Sequence, residues 1–334
     1  MLEENMVIVS VVCMTYNQEK YIKDAIESFL MQKTNFKYEI IIHDDASSDN
    51  TALIIKKYEQ EHPDVIKTIC QQKNQYSQNV NILQEYLIPM TRGKYIAFCE
   101  GDDYWTDVYK LQKQVDALEK NVQCTVCAHA VSIVTSKEKK KIGEMAPSQE
   151  TTIFPVEKVI LEGGGFVGTN SLMLKKEIFK DIPQFRRIYP FDYSLQIWGA
   201  LRGGMLYLAD CMADYRAQAD SSWSITMKNN PALKMKHYAR IIEMLRSLDQ
   251  YTQGKYKTEI RYSIQLQEYS ILLLKGDYKK IIKGEYESIF REESVANRFK
   301  IYIRVIFPWS VRLNKWRRMS VSYTHLTLPT IYSV

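Results

Sequence analysis

The sequence of 334 residues contains no apolar run of the roughly 18 to 20 residues that a membrane-spanning helix needs. The longest apolar run near the N-terminus, VIVSVVCM, has the length of a strand. It follows Glu3 and Glu4, whereas a signal peptide begins with basic residues. These two absences predict a protein that is made and kept in the cytosol.

The sequence also lacks the second half of any cysteine or histidine metal motif. CTVC, from Cys124 to Cys127, has the spacing of half a zinc site and lies near His129, but no second CxxC or HxxxH follows. Three further cysteines lie in apolar, strand-like runs: Cys13, Cys70 and Cys99. Reduced thiols pack in such runs as small hydrophobes, so we expect free buried cysteines.

Low-complexity tracts and internal repeats are absent as well. Hydrophobic residues make up 46% of the chain and charged residues 25%, which is usual for a globular protein. This composition excludes disordered, collagen-like and coiled-coil chains. The length suits one large domain with an appendage, or two domains.

Acidic residues are missing from one basic segment near the C-terminus. Residues 298–318 carry seven lysines and arginines, and removing these from the net charge of +6 leaves −1. Aromatic residues alternate with the cations, which suits the interface of an anionic membrane, and Pro308 should divide the segment into two short helices. A packed helix with its cations in water is the alternative. The chain offers no nucleic-acid recognition module, so nucleic acid is not an expected partner.

The first 105 residues alternate between strand and helix patterns. VIVSVVC, YEIIIHDD, VIKTICQ and KYIAFCEGDD read as strands, and the segments between them read as helices, the first with Asn17 as a plausible N-cap. Such alternation predicts an α/β fold with a mostly parallel sheet. The pattern becomes mixed after residue 105, and residues 228–306 are mostly amphipathic helix.

Polar and acidic side chains follow the predicted strands at their carboxyl ends. Ligands of open α/β sheets bind outside these ends, so the following residues should share one crevice: Thr15, Tyr16, Asp44, Asp45, Glu100, Asp102 and Asp103. The carboxylates of EGDD repel one another, and a bound Mg²⁺ or Mn²⁺ would cancel that repulsion. A solvated acidic turn is the alternative.

Three ordered motifs give the chain a family resemblance. VSVVCMTYNQEKYIKDAIESFLMQ, EIIIHDDASSDNT and RGKYIAFCEGDDYW resemble the family 2 glycosyltransferases with the GT-A fold, over about residues 7 to 225. The resemblance implies a Rossmann-like α/β domain at residues 1–227, with helices flanking a mostly parallel central sheet. A helical C-terminal region then spans residues 228–320. Residues 321–334 resemble translated cloning sequence, and we expect them to be non-native.

The resemblance also implies roles for individual residues. The nucleotide of the donor would contact Thr15, Tyr16, Asn17, Asp44, Asp45, Asp102 and Arg216. A divalent cation, Mn²⁺ or Mg²⁺, would be held by Asp103 together with Asp102 and Glu100. Gln218 stands where relatives often have a histidine, which leaves the third metal ligand open.

The general base implied by the resemblance is Asp192, although Phe191 replaces the first acid that relatives often carry there. Capping a helix is the alternative role for Asp192. The loop GGGFVGTNS would bring Thr169 and Asn170 to the donor sugar or the acceptor. Trp105 would stack on a sugar, with core packing as its alternative.

The implied activity is transfer of a sugar, with inversion, from a nucleotide-diphosphate donor to an acceptor hydroxyl. We expect a UDP-sugar as donor, and a cell-surface glycan or lipid-linked intermediate as acceptor. The basic segment would hold the protein peripherally on the inner face of the membrane. A nucleotidyltransferase and a non-catalytic nucleotide-sugar binding protein remain open as alternatives.

Overall fold

The computed structural model describes residues 6–219, 227 and 230–307. Its central feature is one mixed sheet. The strands, in chain order, are β1 (Val7–Thr15), β2 (Lys37–Asp44), β3 (Ile66–Cys70), β4 (Tyr95–Phe98), β5 (Tyr104–Trp105), β6 (Val126–Thr135), β7 (Lys141–Met145), β8 (Thr152–Phe154), β9 (Met173–Lys175) and β10 (Met205–Ala217). The main path of the sheet runs β3-β2-β1-β4-β9-β6-β10-β5.

The N-terminal half of the sheet is parallel, as the strand–helix alternation predicts. β1 pairs in parallel with β2 on one side and with β4 on the other, and β2 pairs in parallel with β3. The chain moves outward from β1 to β3 and then returns to the opposite side of β1. The strand order therefore reverses between β1 and β4, where an open α/β sheet binds its ligands.

The second half of the sheet is mixed. β9 runs antiparallel to both β4 and β6 and so joins the two halves, whereas β6 and β10 are parallel. β10 is a single strand of 13 residues. Its register against β6 shifts between Leu208 and Ala213, and Ala213 and Asp214 pair with β5.

Helices cover both faces of the sheet and form the C-terminal region. They are α1 (Ile22–Leu30), α2 (Thr51–Glu61), a π-helix (Leu83–Leu87) that continues into α3 (Ile88–Met90), α4 (Lys110–Lys120), α5 (Val156–Glu162), α6 (Gln184–Ile188), α7 (Asp192–Ala200), α8 (Pro231–Tyr251), α9 (Lys257–Lys275), α10 (Tyr278–Ile281), α11 (Glu287–Glu292) and α12 (Val295–Ile306).

Alternate residues of the central strands enter two separate cores. On one face, Val9 and Val11 of β1 pack with Ile26 and Phe29 of α1. On the other face, Val12 joins a larger core that includes residues of α5, α7, α8 and α9. The hydroxyl of Ser263 in α9 donates to the carbonyl of Ile160 in α5 over 2.9 Å, which ties the helical region to the domain that carries the sheet.

None of the described helices combines the length and the apolar character that crossing a membrane would require. The C-terminal part of the basic segment, residues 308–318, and the expected non-native tail at 321–334 lie outside the described residues.

Candidate active site

The floor of the crevice is built from the carboxyl ends of β1, β2 and β4. Thr15 lies opposite Asp44 in the parallel register, and the Asp45 N–H donates to the Thr15 carbonyl over 3.0 Å. The Gly101 N–H donates to the Met14 carbonyl over 3.0 Å. Three segments that are far apart in sequence therefore meet at one edge of the sheet.

Both carboxylates of the HDD motif are buried and bonded within the protein. Asp44 accepts from the Ser47 N–H over 3.1 Å and from the Ser47 hydroxyl, so it closes the turn after β2. Asp45 accepts from the N–H groups of Gln75 at 2.7 Å and Tyr76 at 3.0 Å. These two bonds fix the loop that follows β3 against the crevice.

Tyr16 and Asn17 form the rim of the crevice above β1. Tyr16 is 42% exposed. Asn17 has a left-handed backbone (φ 52°), and its side-chain oxygen accepts from the Ser48 N–H over 2.8 Å. The prediction that Asn17 caps the first helix is therefore wrong: α1 begins at Ile22, and Asn17 instead joins the first two loops.

The acidic loop after β4 is held by a buried arginine. Asp103 is 1% exposed and accepts from the Arg216 main-chain N–H over 2.8 Å, while Arg216 Nη1 donates to the Asp102 carbonyl over 2.6 Å. Arg216 Nη2 forms an ion pair with Asp24 of α1. β10, α1 and the acidic loop are thus joined through one guanidinium.

Aromatic rings surround the same guanidinium. The Arg216 carbon lies 4.5 Å from the ring centre of Tyr104 and 5.1 Å from that of Tyr21. Lys139 adds a second ion pair to Asp24 over 2.9 Å. Sequence reasoning missed Asp24, Tyr21 and Lys139, because each lies in an ordinary helix or turn pattern with no motif to mark it.

The acids of the loop stand in an environment that disfavours their charged form. Burial, together with the charges of Asp102 and Asp192, raises the pKa of Glu100 to about 8. Burial also raises the pKa of Asp102, and it raises that of Asp103 well above its ordinary value. Their ionised forms would therefore be stabilised by an added cation.

Asp192 is the first residue of α7. Its carboxylate accepts from the Tyr193 N–H over 2.7 Å, but the residue before it, Phe191, occupies the cap position without a side-chain cap. Burial raises the pKa of Asp192 to about 6, against the lowering effects of the Tyr193 N–H and Arg186. The charge of Asp192 contributes to the raised pKa of Glu100, so the two carboxylates lie within electrostatic range of each other.

Phe191, which replaces the first acid of the expected pair, makes aromatic contacts. Its ring lies 4.8 Å from Tyr189 and 6.4 Å from Tyr76, and the guanidinium carbon of Arg240 lies 5.8 Å from its centre. Tyr76 belongs to the loop that Asp45 fixes. The substitution therefore exchanges a charge for a packing contact between the two sides of the crevice.

Trp105 lies in the core beneath the site. It is 1% exposed, its ring lies 4.7 Å from that of Phe29, and its Nε1 donates to the Asn170 carbonyl over 2.9 Å. A sugar cannot stack on this ring without rearrangement, so the packing alternative describes Trp105. Lys110 lies beneath it, with Nζ 4.1 Å from the ring centre.

Asn170 is also fully buried. Its Nδ2 donates to the Asp214 carbonyl over 3.1 Å, while its Oδ1 has no hydrogen-bond partner among the described residues. Thr169 is half-buried beside it. Of the two predicted sugar-contact residues, Thr169 therefore has the more accessible side chain, and Asn170 mainly fixes the turn to β10.

The donor set suits a hard divalent cation, although it is not a complete cage. Among residues 6–219, 227 and 230–307, no three His, Cys, Asp or Glu side chains converge closely enough to hold a metal ion by themselves. Mg²⁺ and similar ions are commonly held by one or two carboxylates together with substrate phosphates. Oxygen donors whose charge is buried and poorly compensated fit that chemistry.

Comparison with known proteins agrees with this geometry. The fold matches solved glycosyltransferases: Staphylococcus aureus TarS 1–349, in complex with UDP-GlcNAc, has a TM-score of 0.54 at 13% identity, with 96% of this chain and 95% of that one covered. The mannosyltransferase PcManGT of Pyrobaculum calidifontis, in complex with GDP-Man and Mn²⁺, has a TM-score of 0.56 at 13% identity, with coverage of 94% and 83%. The architecture is therefore that of the GT-A enzymes.

Sequence comparison gives the family. The profile of glycosyl transferase family 2 matches residues 10–182, just over half of the chain. The chain belongs to that family. An uncharacterized protein of Mycobacterium tuberculosis is 36% identical over 215 residues, which cover 64% of this chain and 60% of that one. An Escherichia coli UDP-Glc:α-D-GlcNAc-diphosphoundecaprenol β-1,3-glucosyltransferase, WfaP, is 35% identical over 114 residues, with coverage of 34% and 42%.

The bonds to Asp45 lead to a prediction for the loop after β3. Asp45→Ala should remove the charged acceptor of the part-buried N–H groups of Gln75 and Tyr76, at a cost of about 1–3 kcal/mol. Hydrogen exchange should then accelerate at these two amides. Asp64→Ala, at an exposed position, is the control. Unchanged protection of both amides in Asp45→Ala would contradict the structural role of this carboxylate.

Proposed function

We propose that the protein is an inverting glycosyltransferase that moves a sugar from a nucleotide-diphosphate donor to an acceptor hydroxyl. The observation that carries this proposal is the placement of two kinds of carboxylate around one crevice. An acidic loop lies at the end of β4, and a lone carboxylate with a pKa near neutrality lies at the start of α7. The first suits a diphosphate with its cation, and the second suits a base.

The donor nucleotide lies over the ends of β1 and β2 in this proposal. The rim residues Tyr16 and Asn17 border it, and Asp45 keeps the loop at Gln75 and Tyr76 in place beside it. UDP is the expected nucleotide. TarS, which shares the fold, is known in complexes with UDP and UDP-GlcNAc, and PcManGT in a complex with GDP-Man.

Asp103, together with Asp102 and Glu100, would hold Mn²⁺ or Mg²⁺. When bound, such a cation neutralises the charge that grows on the departing nucleoside diphosphate. Arg216 is committed to Asp24 and the Asp102 carbonyl, so its contribution is to hold the acidic loop in place and to add positive charge near the diphosphate. Gln218, where relatives often have a histidine, lies two residues after Arg216 and has a left-handed backbone (φ 60°).

Asp192 acts as the general base. Its carboxylate removes the proton from the acceptor hydroxyl as the hydroxyl oxygen attacks the sugar carbon on the face opposite the leaving group. The nucleoside diphosphate leaves with the electrons of the broken bond, which gives inversion. A pKa of about 6 keeps most of the carboxylate ionised at neutral pH and still basic enough to accept a proton.

The products of a donor-hydrolysis and transfer assay test the reaction class. Incubation with radiolabelled UDP-sugar and Mn²⁺ should release UDP. Release of sugar 1-phosphate, which attack at the α-phosphorus would give, would instead support a nucleotidyltransferase. Binding of UDP-sugar without any turnover, across a set of glycan and lipid-linked acceptors, would support a binding protein.

Asp103→Ala should abolish turnover and remove the Mn²⁺-dependent thermal stabilisation by UDP, because the buried loop then loses a carboxylate oxygen for the cation. Differential scanning fluorimetry with UDP, with and without Mn²⁺, measures the second effect. Asp116→Ala, on the outer surface of α4, is the control and should retain the stabilisation. A Mn²⁺-dependent shift that persists in Asp103→Ala would remove this residue from the metal site.

Asp192→Asn should leave binding of UDP nearly unchanged and lower kcat by about 10² to 10⁴-fold, since general-base assistance accelerates a reaction by about that factor.

The pH dependence of kcat in the unaltered protein is a second test of Asp192. The pKa of Asp192 is raised to about 6, and only the ionised form accepts a proton, so kcat should fall as the pH drops through about 6. Near-normal kcat in Asp192→Asn would reduce this residue to a structural role at the helix start.

The acceptor side of the proposal rests on α12. Four of its residues form one exposed apolar stripe at helical spacing: Val295 (74% exposed), Phe299 (64%), Tyr302 (47%) and Ile306 (65%). Seven cations and no acids occupy residues 298–318. We assign this surface to an anionic membrane, because apolar side chains flanked by lysine and arginine favour that interface. Docking there would bring the crevice to a lipid-linked or cell-envelope acceptor.

Flotation with liposomes that contain anionic lipid tests the docking surface. The complete 334-residue chain should float, and added salt should release it, since each basic residue near the membrane contributes about 1 kcal/mol. The double variant Phe299→Glu/Ile306→Glu should stay in the soluble fraction. Leu53→Glu, at an equally exposed apolar position of α2 (68%), should still float. If the unaltered chain does not float at low salt, or if it dimerises through α12, the membrane assignment is wrong.

A further inference from the structure

Arg186 of α6 is a buried cation that the roles described above do not use. It is 3% exposed, and it forms no ion pair with any residue in the described part of the chain. Burial lowers the pKa of its guanidinium to about 10, which reports an environment that opposes its charge. Removing an arginine from water costs several kcal/mol unless its surroundings compensate, so this position calls for an explanation.

The side-chain hydrogen bonds of Arg186 lead to the turn that carries Asp192. Its Nη1 donates to the Phe191 carbonyl over 2.9 Å and to the Ser194 hydroxyl over 2.7 Å. The Ser194 hydroxyl in turn contacts the carbonyls of Tyr189 and Phe191. One guanidinium therefore fixes both the residue before Asp192 and the first turn of α7.

The ring of Trp198 limits the movement of Arg186 from the other side. The guanidinium carbon lies 5.9 Å from the ring centre, and Trp198 is itself 1% exposed on α7. Trp198 also packs edge-on against Phe179 at 5.5 Å. Arg186 is thus enclosed by α7, and its charge has little freedom to turn away.

Among the acids of the described residues, Asp192 is the one whose pKa responds to the charge of Arg186. It lowers the pKa of Asp192, and the Asp192 charge raises the pKa of Arg186 in return. The other groups that sense the Asp192 charge are Glu100 across the crevice and Tyr189 beside it, while Arg240 of α8 acts on Tyr189. Burial opposes the ionisation of Asp192, and Arg186 supports it.

We propose that Arg186 is the positioning residue of the base: it orients the Asp192 carboxylate through the turn at residues 189–194 and places a positive charge next to that turn. This inference rests on the proposed function, because it assigns a partner to the base of that reaction. It explains why a guanidinium is buried with carbonyl and hydroxyl acceptors only. The carboxylate that compensates its charge is kept free to meet the acceptor hydroxyl.

Three variants of the complete chain test the proposal through the pH profile of kcat. Arg186→Gln keeps a neutral donor for the Phe191 carbonyl but removes the charge; we expect about 10-fold lower kcat at pH 7, unchanged KM for the UDP-sugar, and an acid limb displaced to higher pH. Arg186→Lys keeps the charge and should restore the position of the limb. Arg240→Gln is the control, since Arg240 donates over 2.8 Å to the carbonyl of Ile188, the residue directly before the turn, but does not contribute to the pKa of Asp192.

The outcomes separate this inference from the proposed function. If Asp192→Asn abolishes turnover while Arg186→Gln keeps the kcat and the acid limb of the unaltered protein, the inference on Arg186 is overturned and the base assignment stands. If Arg186→Gln and Arg240→Gln displace the limb equally, the effect belongs to the turn and not to the charge of Arg186, which also overturns it. Near-normal kcat in Asp192→Asn overturns both.

Ser194→Ala keeps the test decisive if Arg186→Gln does not fold. It removes one acceptor of the guanidinium, adds no charge, and should lower kcat several-fold with KM for the UDP-sugar unchanged. Unaltered kcat in a folded Ser194→Ala protein would show that the arrangement around Arg186 does not position the base.

Discussion

The crevice depends on one buried guanidinium. Arg216 joins the end of β10 to α1 through Asp24 and holds the acidic loop through the Asp102 carbonyl. Without this cation, three neighbouring carboxylates in a buried loop would repel one another, and nothing in the loop itself would compensate. The rings of Tyr21 and Tyr104 limit the movement of Arg216, so its charge stays where the loop needs it. A divalent cation and a diphosphate would add to an arrangement that the protein already supports.

Much of the first half of the fold follows from the sequence. Continuous β-branched runs such as that of β1 are typical of strands buried on both faces, and their alternation with amphipathic helices predicts parallel pairing. The carboxyl ends of parallel strands lie at the same edge of the sheet. The convergence of Thr15, Asp44 and the acidic loop could therefore be predicted from the sequence. The second half of the fold is harder to predict from the sequence. β9 is antiparallel to β4 whereas β10 is parallel to β6, and the local sequence pattern does not determine these directions.

The finer details of the site depend on contacts between distant segments. Asp24 lies 192 residues before Arg216, and nothing in the helical pattern of α1 marks it as an ion-pair partner. Trp105 follows an acidic motif and so suggests a sugar contact, yet it packs on Phe29 because β5 folds back against β10. Asn17 has the residue type of a helix cap, but its left-handed backbone serves the loop at Ser48. In each case tertiary contacts override a local signal.

The two halves of the crevice are also joined to each other by packing. Asp45 fixes the main chain at Tyr76, the Tyr76 ring contacts Phe191, and Phe191 directly precedes Asp192. An acid at position 191 would add a charge beside Asp192 and Glu100, whose pKa values burial already raises, and would make ionisation of Asp192 more costly. Phenylalanine avoids that cost and provides an apolar surface for Tyr76. The departure from the expected acid pair therefore agrees with the proposed role of Asp192 as a single base, positioned by Arg186 and linked by packing to the loop at Tyr76.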